Sequence, residues 1–69
     1  MERTAVISSN IASVGYDEPT LTLEVAFRNG SVYQYFSVPK HEFEALLSAS
    51  SVGSYFSSAI RGSYPYARA

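Results

Sequence analysis

His41 is the only histidine in the chain, so it is the first residue to weigh for proton transfer or metal ligation. A nucleophilic relay would have to combine it with Asp17 and one of twelve serines. No serine stands in a Gly-x-Ser-x-Gly elbow. A metal site would need Glu42 or Glu44 beside His41, but adjacent helical positions do not point together. His41 and Glu44 stand at i, i+3, the spacing of a surface pair. Cysteine is absent, which excludes disulfides, Cys-ligated zinc, iron–sulfur clusters and thiolate nucleophiles. Gly15, Gly30, Gly53 and Gly62 are isolated, so there is no phosphate-cradling loop. Asp17-Glu18 reads as a solvated turn rather than an acid–base pair. The expectation is a non-enzyme without metal or cofactor.

Binding chemistry is better supplied. Six Tyr and four Phe make 14% of the chain aromatic. Bases stack on rings and on guanidinium planes, and arginine also neutralises phosphate. Tyr55, Arg61, Tyr64, Tyr66 and Arg68 lie close together in sequence, and Tyr33 and Tyr35 form a Y-x-Y pair. Each has a plainer reading. Arg61 at a helix C-terminus complements the dipole. Tyr64-Pro65-Tyr66 can simply strap the tail across the sheet or the helices.

The elements that must carry these residues follow from periodicity. Leu21, Leu23, Val25 and Phe27 alternate with polar or small residues, the period of a half-buried strand. Asn29-Gly30 is a hairpin signal, and Ser31 to Ser37 reads as the return strand. Ile11 to Tyr16 reads as an earlier strand, closed by the Asp17-Glu18-Pro19-Thr20 turn. Val6-Ile7 is expected to add a short edge piece. Pro39 suits a first helical position. Phe43, Leu46, Leu47 and Ser50 then repeat at helical spacing. Ser50-Ser51 ends that helix and caps a second, whose stripe is Tyr55, Phe56, Ala59 and Ile60. Gly62 sits where a left-handed residue usually ends a helix. Strands followed by helices imply an α+β domain over residues 1–69: a three-stranded antiparallel meander with two short helices packed on one face.

Whether Tyr33 and Tyr35 face the core depends on the hairpin loop. A two-residue loop at Asn29-Gly30 pairs Phe27 with Val32 and puts both tyrosines on the open face, beside Ala26 and Glu24. A three-residue loop, Arg28-Asn29-Gly30 with a Gly bulge, turns them to the core beside Val25 and Leu23. The two-residue loop is the expected one, because it leaves Gln34 as the only polar residue turned inward.

Composition bounds the rest. A 69-residue chain has a thin margin, since about 60% of the unfolded surface is buried at this size. The net charge of −1 excludes a generic polyanion binder. It is uneven: residues 45–69 hold Arg61 and Arg68 and no acid. No apolar run approaches a membrane span and no targeting segment is visible, so the cytoplasm is the expected location. Gly30 to Tyr35 loosely resembles an aromatic RNP strand, but both the basic-Gly-aromatic opening and the βαββαβ order are missing.

A broader resemblance extends over about residues 6–68. Val6-Ile7-Ser8-Ser9-Asn10-Ile11, Val14-Gly15-Tyr16-Asp17, Tyr33-Gln34-Tyr35 and Val38-Pro39 are followed by Ala49-Ser50-Ser51-Val52-Gly53-Ser54-Tyr55-Phe56 and Ile60-Arg61. In that order and spacing the chain resembles the KTSC domain family, named for its occurrence at the C-terminus of some lysyl-tRNA synthetases. The resemblance implies a bacterial or phage source and RNA as a partner. It carries over no catalytic residue, and its motif points to Tyr33, Tyr35 and Arg61. Ser57 stands where Asn is common in the family, which removes one hydrogen-bonding amide.

The resulting expectation is a small binding module for RNA. Its binding residues would be Tyr33, Tyr35, Arg61, Tyr64, Tyr66 and Arg68. The alternative is self-association or protein interaction through a sheet edge or aromatic surface. A weaker third idea is capture of a small nucleotide by an oligomer.

Overall fold

The alternating segments form a single antiparallel sheet of five strands, not three. The strands are β1 (Arg3–Ala5), β2 (Ile11–Asp17), β3 (Thr22–Phe27), β4 (Val32–Tyr35) and β5 (Tyr66–Arg68), paired in chain order. The computed structural model describes residues 1–69 throughout. The two extra strands are both edges, three residues long and exposed along their whole length. Neither buries a face, so neither writes an alternating pattern into the sequence. The edge expected at Val6-Ile7 lies earlier, at Arg3–Ala5, and Ile7 is 97% exposed.

The register of β2 shifts by one residue between Ile11 and Ser13. This bulge lets Ile11 and Val14, three apart, both enter the core at 0% exposure. The β3–β4 hairpin takes the three-residue loop, correcting the expected register. Ala26 faces Val32, Val25 faces Tyr33 and Leu23 faces Tyr35. The Phe27 N–H donates to Ser31 O at 2.8 Å, and the Gly30 N–H donates to Phe27 O at 3.0 Å. Gly30 has φ +94°, open to glycine and closed to most other residues. Asn29 Oδ1 accepts from the Ser31 N–H at 2.9 Å. This register keeps Gln34 out of the core, and Thr22 is the one buried polar residue. Gln34 lies on the outer face, where its Nε2 donates to Glu24 Oε1 at 3.0 Å beside the Arg3–Glu24 ion pair.

The inner face is covered by α1 (Lys40–Ser48), α2 (Val52–Tyr55) and a π-helical turn over Phe56–Ile60. α1 starts one residue later than expected: Pro39, with ψ 153°, is its N-cap. Leu46 is buried, whereas Leu47, expected on the same stripe, stays exposed. Tyr16 stacks on Phe43 with ring centroids 5.1 Å apart and donates to Val38 O at 2.6 Å, fixing α1 to the sheet. Ser51 caps α2 through its Oγ, which accepts from the Ser54 N–H. Phe56 and Ile60 enter the core. Gly62 is not left-handed; the chain leaves the π turn through a bend and enters β5 after Pro65. The core joins Ile11, Val14, Leu23, Val25 and Tyr35 of the sheet to Leu46, Val52, Phe56 and Ile60 of the helices. No helix is long and apolar enough to cross a membrane.

Candidate functional site

β4 and β5 place Tyr35 opposite Tyr66, and Tyr33 opposite Arg68. Directly paired residues share a face. All four therefore project to the helix side, with Val25 and Leu23. The helices cover only part of that face. Phe56 packs edge-on against Tyr35 and Phe27, with centroids 5.4 and 5.7 Å away. Beyond it a cleft of about 390 Å³ stays open between the sheet and the Phe56–Arg61 segment.

Its floor is aromatic: Phe27, Tyr33, Tyr35, Phe56 and Tyr66. Its rim is polar: Asn10, Asn29, Ser31, Ser57 and Arg61. The Phe27 and Tyr33 rings meet edge-to-face at 5.9 Å. Tyr66 lies 5.6 Å from Tyr35 and 5.9 Å from Tyr33 and keeps its outer surface in solvent, 60% exposed. Tyr35 is only 4% exposed. Burial pushes its phenol above the usual tyrosine value, and the positive charge of Arg61 opposes that rise. Arg68 sits over Tyr33, its Cζ 5.9 Å from the ring centroid, and donates through Nη2 to Ser31 Oγ at 3.3 Å.

The charges around the cleft are all of one sign. No acidic residue lines it. The two ion pairs of the molecule, Arg3–Glu24 and Lys40–Glu18, lie elsewhere. Arg28, Arg61 and Arg68 have no carboxylate partner. Arg28 is tied to the rim: its N–H donates to Asn10 O and its Nε to Ser8 O, at 2.9 and 2.8 Å. The chain is slightly acidic overall, yet Arg61 lines the aromatic cleft and Arg68 borders it, neither with a carboxylate partner. Such a surface suits an anionic, ring-bearing ligand.

Of the residues singled out in the sequence, Tyr33, Tyr35, Arg61 and Tyr66 meet in this cleft, and Arg68 borders it through Tyr33. Tyr64 goes elsewhere. Its hydroxyl donates to Glu42 Oε2 at 2.8 Å, and Tyr55 donates to the other oxygen of the same carboxylate. These bonds tie the tail and α2 to α1. The contact with Glu42 pushes the Tyr64 phenol up to about 12. Asn10, Asn29, Phe27 and Phe56 reach the cleft without having been singled out as binding residues. Asn29 looked like turn chemistry alone, and Asn10 is brought in by the chain reversal before β2. Ser57, noted as a departure from the family pattern, is on the rim. His41 lies exposed at the start of α1, away from the cleft.

A KTSC domain model matches residues 7–64. The chain is 41% identical over 61 residues to an uncharacterized protein of Stutzerimonas stutzeri, covering 88% of this chain and 86% of that one. It is 40% identical over 58 residues to a lysine–tRNA ligase of Nostoc punctiforme, covering 84% of this chain but 10% of the ligase. The crystal structure of a KTSC domain protein from Yersinia pestis superposes with a TM-score of 0.96 at 37% identity, covering 99% of this chain and 96% of that one.

Proposed function

This chain belongs to the KTSC domain family, and on that premise we propose that it is a small non-catalytic module that binds RNA in the cytoplasm through the Tyr/Arg cleft. The observation that carries the reading is the cleft itself: an aromatic floor, no acidic lining residue, and arginines without carboxylate partners. Phosphate neutralisation supplies affinity and exposed rings supply stacking. The similarity to lysine–tRNA ligases, proteins that act on an RNA, adds support, although this chain spans about a tenth of their length. The test is titration with tRNA and single-stranded RNA at two salt concentrations. The expected result is binding that weakens as salt rises. Absence of binding tighter than about 100 μM at low salt overturns the reading, because non-specific contacts already reach that range.

Self-association through a sheet edge is a second reading, favoured by the exposed β1 and β5 edges. Each edge is only three residues long, so the added ladder would be short. Light scattering decides it: a stable dimer indifferent to RNA supports this second reading, and a monomer at all concentrations removes it.

A further inference from the structure

We infer that the cleft accepts one unpaired nucleotide of a single strand, its base against the outer surface of Tyr66 and its phosphate at Arg61. This rests on the RNA reading and specifies the unit that is bound.

Size is the first constraint. A cleft of about 390 Å³ is near the lower end of the ~300–1,000 Å³ typical of small-ligand sites. It has room for one ring system and its phosphate, not for a row of stacked bases.

Ring access is the second constraint. The rings that could stack are set between the sheet and the Phe56–Arg61 segment. Tyr35 is nearly sealed, and the Tyr33 ring already contacts Phe27, Tyr66 and Arg68. Tyr66 alone offers a largely open ring surface. A base inside a duplex is stacked on both faces and has no free face to lay against Tyr66. An unpaired base can be splayed out and inserted.

Charge placement is the third. Arg61 lines the same cleft as Tyr66, close enough to Tyr35 to act on its phenol. It has no ion-pair partner to give up before meeting a phosphate. Arg68 borders the cleft over Tyr33, and Arg28 is held beside the rim by Asn10 O and Ser8 O. Asn10, Asn29 and Ser57 on the rim bring amide and hydroxyl groups to the edge of the inserted base.

The experiment compares one short oligoribonucleotide in four forms: single strand, annealed duplex, the strand with abasic residues, and the free 5′-mononucleotide. The intact single strand is expected to bind best. Duplex and abasic strand are each expected to be weaker by about fivefold or more, the typical contribution of one stacked base. Tyr66→Ala should lower single-strand binding to the abasic level, and Tyr66→Phe should preserve it. Thermal melting of both variants confirms that the fold is intact.

Equal binding of duplex and single strand, or of abasic and intact strand, overturns this inference and leaves the RNA reading standing. A free mononucleotide that binds as tightly as the strand overturns the strand assignment. Failure of every form to bind overturns the RNA reading together with the inference.

Discussion

Tyr35 and Tyr66 are direct cross-strand partners with rings 5.6 Å apart, yet one is 4% exposed and the other 60%. One ring belongs to the core and the other to the surface, though they touch. The two should respond differently to substitution. Tyr35→Ala should cost about 3–5 kcal/mol, as removal of a large core ring does. For a domain of this size that is most of the folding margin. Tyr35→Phe should leave stability within about 0.5 kcal/mol, because the hydroxyl is neither sealed from solvent nor bonded within the chain. Chemical denaturation of the two variants checks both values. A large loss for Tyr35→Phe would reveal a hydrogen bond that this arrangement lacks.

Arg61 should act on RNA through charge. Arg61→Ala is expected to weaken binding across sequences alike and to reduce the slope of log affinity against log salt by about 1. Arg61→Lys should restore much of the slope. Titration at several salt concentrations reads both. An unchanged slope would remove Arg61 from the phosphate contacts.

The Tyr64–Glu42 contact predicts an alkaline transition. The phenol titrates near 10 when unfolded and about 12 when folded. A raised folded value means that its contribution is whole below pH about 10 and is lost as pH climbs to about 12. Tyr64→Phe should lower stability at pH 8 by about 1 kcal/mol, discounted for its half-exposed setting. The gap between wild type and variant should narrow above pH about 10 and close at pH about 12. Melting curves across that window test it, and a constant gap would contradict it.

Backbone conformation at two positions yields opposite expectations. Gly30 sits at φ +94° with open space where a Cβ would go, so Gly30→Ala is disfavoured by conformation alone, by about 1–2 kcal/mol. Ser37 holds φ +61° with an ordinary side chain, next to Val38, whose N–H donates to Leu21 O. Ser37→Gly should relieve that strain and raise stability by about 0.5–1 kcal/mol after the entropy of glycine is counted. A pair of thermal melts settles the signs.

Gly15 carries the contact between β1 and β2. A Cβ there would come within 2.5 Å of Glu2 O and 3.0 Å of Arg3 Cγ. Gly15→Ala is therefore expected to displace β1 while sparing the core. Hydrogen exchange at Arg3–Ala5 should accelerate with β3 protection unchanged. Equal protection of β1 in the variant would show that the edge tolerates the methyl group.

The legible parts of the fold are those with one buried face. β2, β3 and α1 each repeat apolar residues because each packs on the core, and the second helical stripe ends in Phe56 and Ile60 for the same reason. β1 and β5 are exposed on both faces and left no such trace, so the sheet looked smaller than it is. The hairpin register turned on Asn29, which needs a positive φ in the two-residue loop and does not take one here, whereas Gly30 is left-handed in either loop. The cleft was half legible. Residue types identified Tyr33, Tyr35, Arg61 and Tyr66, but only the pairing of β5 with β4 brings Tyr66 to the other two tyrosines. Tyr64 is two residues from Tyr66, yet its side chain is committed to Glu42.

The distribution of ion pairs has a kinetic consequence. Lys40–Glu18 lies by the β2–β3 turn, and the Arg28-Asn29-Gly30 loop lies at the opposite end of β3. Asp17 and Glu18 lie at that turn, and Arg61 and Arg68 lie at the cleft. On the RNA reading, the field of a polyanion favours encounters in which the unpaired arginines of the cleft lead. Added salt should then slow association more than it hastens release, an effect of orientation rather than of grip.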